Sequence, residues 1–120
     1  MKNPTLTEIN KMEYLLNVAS DATRLKIMFS LIDDSKCTCD ENNCCCGHRL
    51  KRTCQVEKCV NDIVNSVNLS QSLISHQLKV LKDAKLVSIR KEGTKVYYRL
   101  SDGHIKELLK VVFEHISDVE

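Results

Sequence analysis

The sequence lacks any apolar run that approaches the roughly 20 residues needed for a membrane-spanning helix. Residues 1–9 also lack the apolar segment of a secretory signal, and no internal repeat is visible. Hydrophobic residues make up 42% and charged residues 28% of the 120 residues, which is typical of a globular protein. We therefore expect a single domain over 1–120, located in the cytoplasm, with no membrane partner.

The net charge of +2 is small, but the charges are unevenly distributed. Between residues 71 and 99, seven basic residues oppose Asp83 and Glu92. Between residues 101 and 120, five acidic residues oppose Lys106 and Lys110. A basic segment of this kind is typical of a surface that contacts phosphates, although two ordinary solvated faces would have the same composition.

The first half of the chain has the pattern of helices followed by a long loop. Apolar residues recur at helical spacing over 5–19, and again after a cap at Ser20 or Asp21. The pattern stops over 35–58, where few aliphatic residues occur among many cysteines, asparagines and charges. We expect 35–58 to be a cysteine-rich inserted loop.

The second half has the pattern helix, turn, helix and hairpin. Helical spacing resumes over 60–67, and Ser70 can cap a further helix after a short turn. Alternation over 87–100, with Gly93 at the turn, predicts a β-hairpin, and Asp102 can cap a last helix. The predicted fold is mainly α with a small β-hairpin, a winged helix-turn-helix. The helix after Ser70 is expected to direct four apolar side chains inward: Leu73, Ile74, Leu78 and Leu81.

The other face of the helix that follows Ser70 is polar and suits DNA recognition. Short polar side chains at a helix N-terminus can contact phosphates and base edges in a major groove. A solvated helix face is the simpler alternative, but the basic hairpin that follows favours DNA. The candidate DNA-binding residues are Gln71, Ser72, Ser75, His76 and Lys79 on the helix, with Arg90, Lys91 and Lys95 on the hairpin.

Four segments resemble the ArsR/SmtB family of metal-sensing winged-helix repressors. They are 21–27 (DATRLKI), 59–63 (CVNDI), 69–81 (LSQSLISHQLKVL) and 93–100 (GTKVYYRL). The resemblance covers nearly the whole chain outside the inserted loop. It implies a repressor of metal export or sequestration genes that binds an imperfect inverted repeat of double-stranded DNA as a homodimer. It also implies that four residues contact the operator: Gln71, Ser72, Ser75 and His76.

Four potential zinc ligands lie at the last predicted helix: Asp102, His104, His115 and Asp118. His104 and His115 are eleven residues apart, so they share a helix face but lie about 16 Å apart along the axis, too far for one ion. An antiparallel copy of the helix would bring the two halves together into two equivalent sites. The zinc-sensing branch of the resembled family has this pattern, usually with Glu or His where this chain has Asp118. A capping aspartate with solvated histidines is the simpler alternative.

The predicted first and last helices, 5–19 and 102–118, carry more apolar surface than one small core can use. We therefore expect a homodimer formed through these N- and C-terminal helices. The resemblance further implies that the ring N–H of His115 that does not face the metal donates to a backbone carbonyl near Lys85.

Seven cysteines lie in or beside the inserted loop: Cys37, Cys39, Cys44, Cys45, Cys46, Cys54 and Cys59. Clustered cysteines without an export signal are more often metal ligands or redox thiols than disulfides. Four thiolates suit Zn(II), Cd(II) or Pb(II), and two or three suit Cu(I). The thiolate-sensing branch of the resembled family has Cys-x-Cys at Cys59, whereas this chain has Asn61 as the second member. A structural zinc site and a redox switch are alternatives.

Taken with the resemblance, these features predict a repressor that releases its operator on binding Zn(II) or another divalent or soft metal. Two alternatives stay open: a repressor that senses thiol oxidation, and a metal-buffering protein that uses the cysteine-rich loop. An enzyme is not expected, because no set of nucleophile, base and oxyanion donors is apparent and both candidate metal sites look filled by protein ligands.

Overall fold

The computed structural model of the chain describes residues 2–32 and 57–119. This part of the chain forms a winged helix-turn-helix, as predicted, in which a two-stranded antiparallel sheet follows four helices and precedes a fifth. The elements are α1 (Leu6–Ala19), α2 (Ala22–Ser30), α3 (Val60–Val67), α4 (Gln71–Asp83), β1 (Val87–Glu92), β2 (Lys95–Leu100) and α5 (Gly103–Val119). Within these residues, no helix is both long and apolar enough to cross a membrane.

Polar side chains fix where the helices begin. Asp21, and not Ser20, caps α2 by accepting from the backbone N–H of Arg24 at 3.1 Å. Ser70 caps α4, and Asp102 accepts from the first turn of α5 at 3.1 Å. Since each cap satisfies a backbone N–H that the helix itself leaves unpaired, these residues set the starting points of the helices that carry the candidate sites.

Two of the connections are short because a residue in each adopts a left-handed backbone conformation. Asn68 ends α3 with φ of 61°, and its N–H donates to the carbonyl of Val64 at 2.9 Å. Gly93 has φ of 62° at the tip of the hairpin, whose strands pair from Val87 with Leu100 to Glu92 with Lys95. The first turn sets α4 directly against α3, and the second forms the wing.

The core lies between α2, α3, α4 and the base of the hairpin, and it orients α4. Three of the four apolar side chains predicted to point inward from α4 are buried, but Leu73 is 36% exposed. Leu73 lies one turn before the half-buried Gln77 on the same side of α4, at the edge of the core. The fully buried aliphatic side chains include Ile27, Met28, Leu31, Ile63, Ile74, Leu78, Leu81 and Leu100.

Candidate nucleic-acid interface and metal ligands

Among the described residues, none covers the polar face of α4. Because Ile74, Leu78 and Leu81 anchor the opposite face in the core, the helix cannot rotate without exposing them. The N-terminal end of α4, just after the Ser70 cap, therefore carries a fixed set of small polar groups. All five residues predicted to contact DNA from this helix are exposed: Gln71, Ser72, Ser75, His76 and Lys79.

A hydrogen-bonded side chain holds α4 in place. Arg24 of α2 donates from Nε to Oε1 of Gln77 on α4 at 2.7 Å, and from Nη1 to the carbonyl of Val18 on α1 at 3.1 Å. Both bonds are partly buried, where a charge-assisted hydrogen bond is stronger than in water. Arg24 thus ties α4 to α1 and α2. Sequence reasoning missed this role, because the two partners are 53 residues apart and no local pattern joins them.

The wing carries the other predicted DNA contacts, Arg90, Lys91 and Lys95, and all three are exposed. Arg90 differs from the lysines because it has carboxylate partners. Its Nε lies 2.7 Å from Oε2 of Glu57, and its Nη1 lies 2.8 Å from Oε2 of Glu92. The hydrogen bond from Arg90 is the main cause that lowers the pKa of Glu92, and the bonds to Glu92 and Glu57 raise the pKa of Arg90. Both side chains are therefore charged at neutral pH.

The predicted metal ligands on α5 are all exposed and form two separate groups. Asp102 uses Oδ1 to cap the helix, while its Oδ2 lies 3.8 Å from Nδ1 of His104. His115 and Asp118 lie near the other end of α5, three residues apart on one face. Among the described residues, no group of three or more His, Cys, Asp or Glu side chains is close enough to hold a metal ion. Each group thus supplies only half of the donors expected in a tetrahedral site.

Cys59 is the only predicted cysteine ligand among the described residues, and the positions of Cys37, Cys39, Cys44, Cys45, Cys46 and Cys54 lie outside them. Cys59 precedes the first turn of α3 and is half-buried. Its thiol donates to Oδ2 of Asp62 at 3.2 Å, and its backbone N–H donates to the same oxygen at 3.4 Å. In this arrangement the thiol is a hydrogen-bond donor at the start of the helix-turn-helix.

Two helices leave broad apolar strips exposed. On α1 the strip runs along one side of the helix, and on α5 it lies between the two groups of metal-ligand residues. Strips of this size are more typical of a protein–protein interface than of a monomer surface. They comprise Leu6, Ile9, Met12 and Leu16 on α1, with Leu108, Val111, Val112, Phe113 and Ile116 on α5.

Comparisons with known proteins agree with this geometry. The profile of the family described as "Bacterial regulatory protein, arsR family" matches residues 53–88, which include α3 and α4. The chain is 26% identical over 114 residues, 95% of its length, to a transcriptional repressor SmtB homolog of Synechocystis and covers 70% of that protein. It is 41% identical over 63 residues, 52% of its length, to the cadmium resistance regulatory protein CadC homolog of Staphylococcus aureus and covers 52% of it.

The fold is shared with solved structures. A homodimeric winged helix-turn-helix DNA-binding domain from Mycobacterium bovis superimposes with a TM-score of 0.67 at 20% identity, covering 98% of this chain and 91% of that one. At this identity the likeness concerns the fold alone. Taken together, the comparisons show that the chain has a winged helix-turn-helix fold and is similar in sequence to proteins of the arsR family.

Proposed function

We propose that the protein is a homodimeric transcriptional repressor that binds double-stranded DNA and releases it on binding a metal ion. The observation that carries this proposal is the exposed polar face of α4, held in place by the core on one side and followed by a wing with exposed lysines. The relatives are named as repressors and metal-resistance regulators, which supports the same function.

DNA recognition divides between α4 and the wing. Ser75 and His76, near the N-terminal end of α4, would contact base edges in the major groove, while the helix terminus attracts phosphate. Lys95 on the wing would contact the backbone without regard to sequence. In a symmetric dimer, the two copies of α4 must lie about 34 Å apart to read an inverted repeat.

The DNA proposal is tested by selecting a duplex from random sequence with the metal-free protein and measuring binding by fluorescence anisotropy. Ser75→Ala combined with His76→Ala should abolish the preference for the selected duplex over random DNA. Lys95→Ala should weaken binding to both the selected and the random DNA, and lower the salt slope by about 0.9 for each subunit, or about 1.8 for the dimer. Lys2→Ala, at an exposed position near the N-terminus, is the charge-matched control. If the Ser75→Ala, His76→Ala double variant and Lys95→Ala both bound the duplex as wild type does, the assignment of α4 as the recognition helix would be wrong.

The dimer is proposed to form through the apolar strips of α1 and α5. Burying them between copies would remove large side chains from water, and each square ångström of apolar surface buried contributes about 25 cal/mol. Sedimentation velocity at micromolar concentration should give a dimer. Val112→Asp, in the middle of the α5 strip, should shift it to a monomer; a wild-type monomer would contradict the proposal.

The dimer interface would also complete the metal site. Asp102 and His104 are near enough for both side chains to face one ion, and the partner subunit's His115 and Asp118 would complete a tetrahedral set of two nitrogens and two oxygens. Zn(II) suits this donor set best. The cysteines would suit softer ions, Cd(II), Pb(II) or Cu(I), as a second site.

The proposed metal site lies on α5, so its effect must reach α4 mechanically. Fixing α5 against its copy sets the angle between the two winged lobes and hence the spacing of the two copies of α4. A ligating His115 still has one ring N–H, which needs an acceptor. We propose a backbone carbonyl just after α4, near Lys85, whose left-handed conformation ends that segment. Coupling of this kind is reciprocal, so DNA should weaken metal binding as much as metal weakens DNA binding.

A further inference from the structure

The segment that precedes α3 is hydrogen-bonded to the wing. Lys58 and Tyr98 exchange two backbone hydrogen bonds, from the Lys58 N–H at 3.0 Å and from the Tyr98 N–H at 2.8 Å. Tyr98 lies on β2, which pairs with β1 along its other edge. Residue 58 therefore extends the sheet by one position, and the adjacent Glu57 is held beside β2 by the backbone.

Arg90 reaches Glu57 by crossing the outer face of the wing. Arg90 on β1 is paired directly with Tyr97 on β2, and its guanidinium carbon lies 4.7 Å from the centre of the Tyr97 ring. Beyond the ring, Nε meets the Glu57 carboxylate at 2.7 Å. A cation–π contact and a charge-assisted hydrogen bond thus act on the same guanidinium. The side chain therefore lies across the sheet, although it stays 48% exposed.

The charges of Glu57, Arg90 and Glu92, taken together, do not favour contact with a phosphate. Glu57, Arg90 and Glu92 together carry a net charge of −1 when all three are ionised, so the Arg90 charge is already neutralised where DNA would meet the wing. Of the two carboxylates, Glu57 is the better shielded, with its side chain 33% exposed against 68% for Glu92. Its ion pair is therefore less screened by salt. Glu92 also lies opposite Lys95, which offers it a second cation.

We propose that Glu57 sets the affinity of the wing for DNA by holding Arg90 away from phosphate, so that Arg90 contacts DNA only when this ion pair opens. Glu57 is then a positioning residue with a negative effect on DNA binding. The inference rests on the proposed function and adds to it a residue outside the recognition helix and outside the metal sites.

The test is the salt dependence of DNA binding by Glu57→Gln. The amide keeps the shape of the side chain but removes its charge, so only the more exposed Glu92 still pairs with Arg90, and Arg90 can contact one phosphate. The slope of log affinity against log salt should steepen by about 0.9 for each subunit, hence by about 1.8 for the dimer, which corresponds to roughly sixtyfold tighter binding at about 0.1 M salt. Glu107→Gln, an exposed residue on α5, controls for the change in net charge and should leave the slope unaltered.

A double-mutant cycle separates Arg90 from a general charge effect. In an Arg90→Gln background, Glu57→Gln should have no more effect than Glu107→Gln. An equal gain in affinity with and without Arg90, or a loss of affinity in Glu57→Gln, would overturn the inference. If wild type binds the selected duplex and Glu57→Gln binds it with the same affinity and salt slope, this inference alone is overturned. Wild type that binds no duplex overturns the proposed function itself.

Discussion

Replacing Arg24 with methionine should destabilise the protein and loosen its recognition helix. The substitution keeps an unbranched apolar stem but removes the donors to Gln77 on α4 and to the Val18 carbonyl on α1. A hydrogen bond that involves a charged group contributes about 1.5–3 kcal/mol, and its loss here leaves two partly buried acceptors without this donor. We expect the free energy of unfolding to fall by about 3 kcal/mol.

Urea unfolding followed by circular dichroism measures this change, at one protein concentration because the stability of a dimer depends on concentration. Gln77→Met on its own and the double variant complete a cycle that isolates the bond between the two side chains. We expect a coupling energy of about 1.5 kcal/mol or more. Arg24→Lys should recover little, because one ammonium cannot reproduce the geometry of Nε and Nη1.

The same variants should bind DNA less selectively. Gln77 directly follows His76 on α4, so releasing it from Arg24 frees the helix end that we propose reads DNA. Affinity for the selected duplex should therefore fall more than affinity for random DNA. A loss of less than about 1 kcal/mol in stability, together with unchanged selectivity, would refute the role given to Arg24.

Three further predictions concern single features. Lys85 adopts a φ of 62°, so Lys85→Gly should raise the free energy of unfolding by about 0.5–1 kcal/mol, whereas a decrease in urea unfolding would refute it. Hydrogen bonds from the backbone and side chain of Thr5 lower the pKa of Glu8 below 4.5, so this carboxylate stabilises the fold above that pH and loses its effect as the pH falls. Glu8→Gln should thus be less stable than wild type at neutral pH, with a gap that narrows in acid; a gap independent of pH would contradict this. Reduced protein loaded with Co(II) should show a thiolate charge-transfer absorption band that disappears when Cys37, Cys39, Cys44, Cys45, Cys46 and Cys54 are replaced by serine; free thiols and no band in wild type would refute soft-metal binding there.

Features that depend on neighbouring residues could be predicted from the sequence. Helix caps and tight turns involve only a residue's own backbone and the next few residues. The structure confirms the predicted caps at Ser70 and Asp102 and the predicted turn at Gly93. The polar face of α4 was also predictable, since helical periodicity alone separates it from the buried face.

Contacts between distant segments could not be predicted in this way. The hydrogen bond from Arg24 to Gln77 spans 53 residues, and the ion pair of Arg90 with Glu57 spans 33. Sequence reasoning made Arg90 a candidate DNA contact because it is basic and lies in the hairpin, but only the fold shows that two carboxylates already bind it. Leu73 has helical spacing that fits the core, yet the edge of α4 leaves it partly exposed.

The central claim, that a metal site shared between subunits releases DNA, is tested most directly by zinc titration of the bound duplex with mixed dimers. His104→Ala and His115→Ala homodimers each lack one histidine in both sites, so zinc should leave them on the DNA. A dimer with one subunit of each variant keeps one complete site, formed by the unaltered His104 and the partner subunit's His115. It should bind one zinc ion and release the duplex, as wild type does. Release from both homodimers, or no release from wild type, would contradict the account.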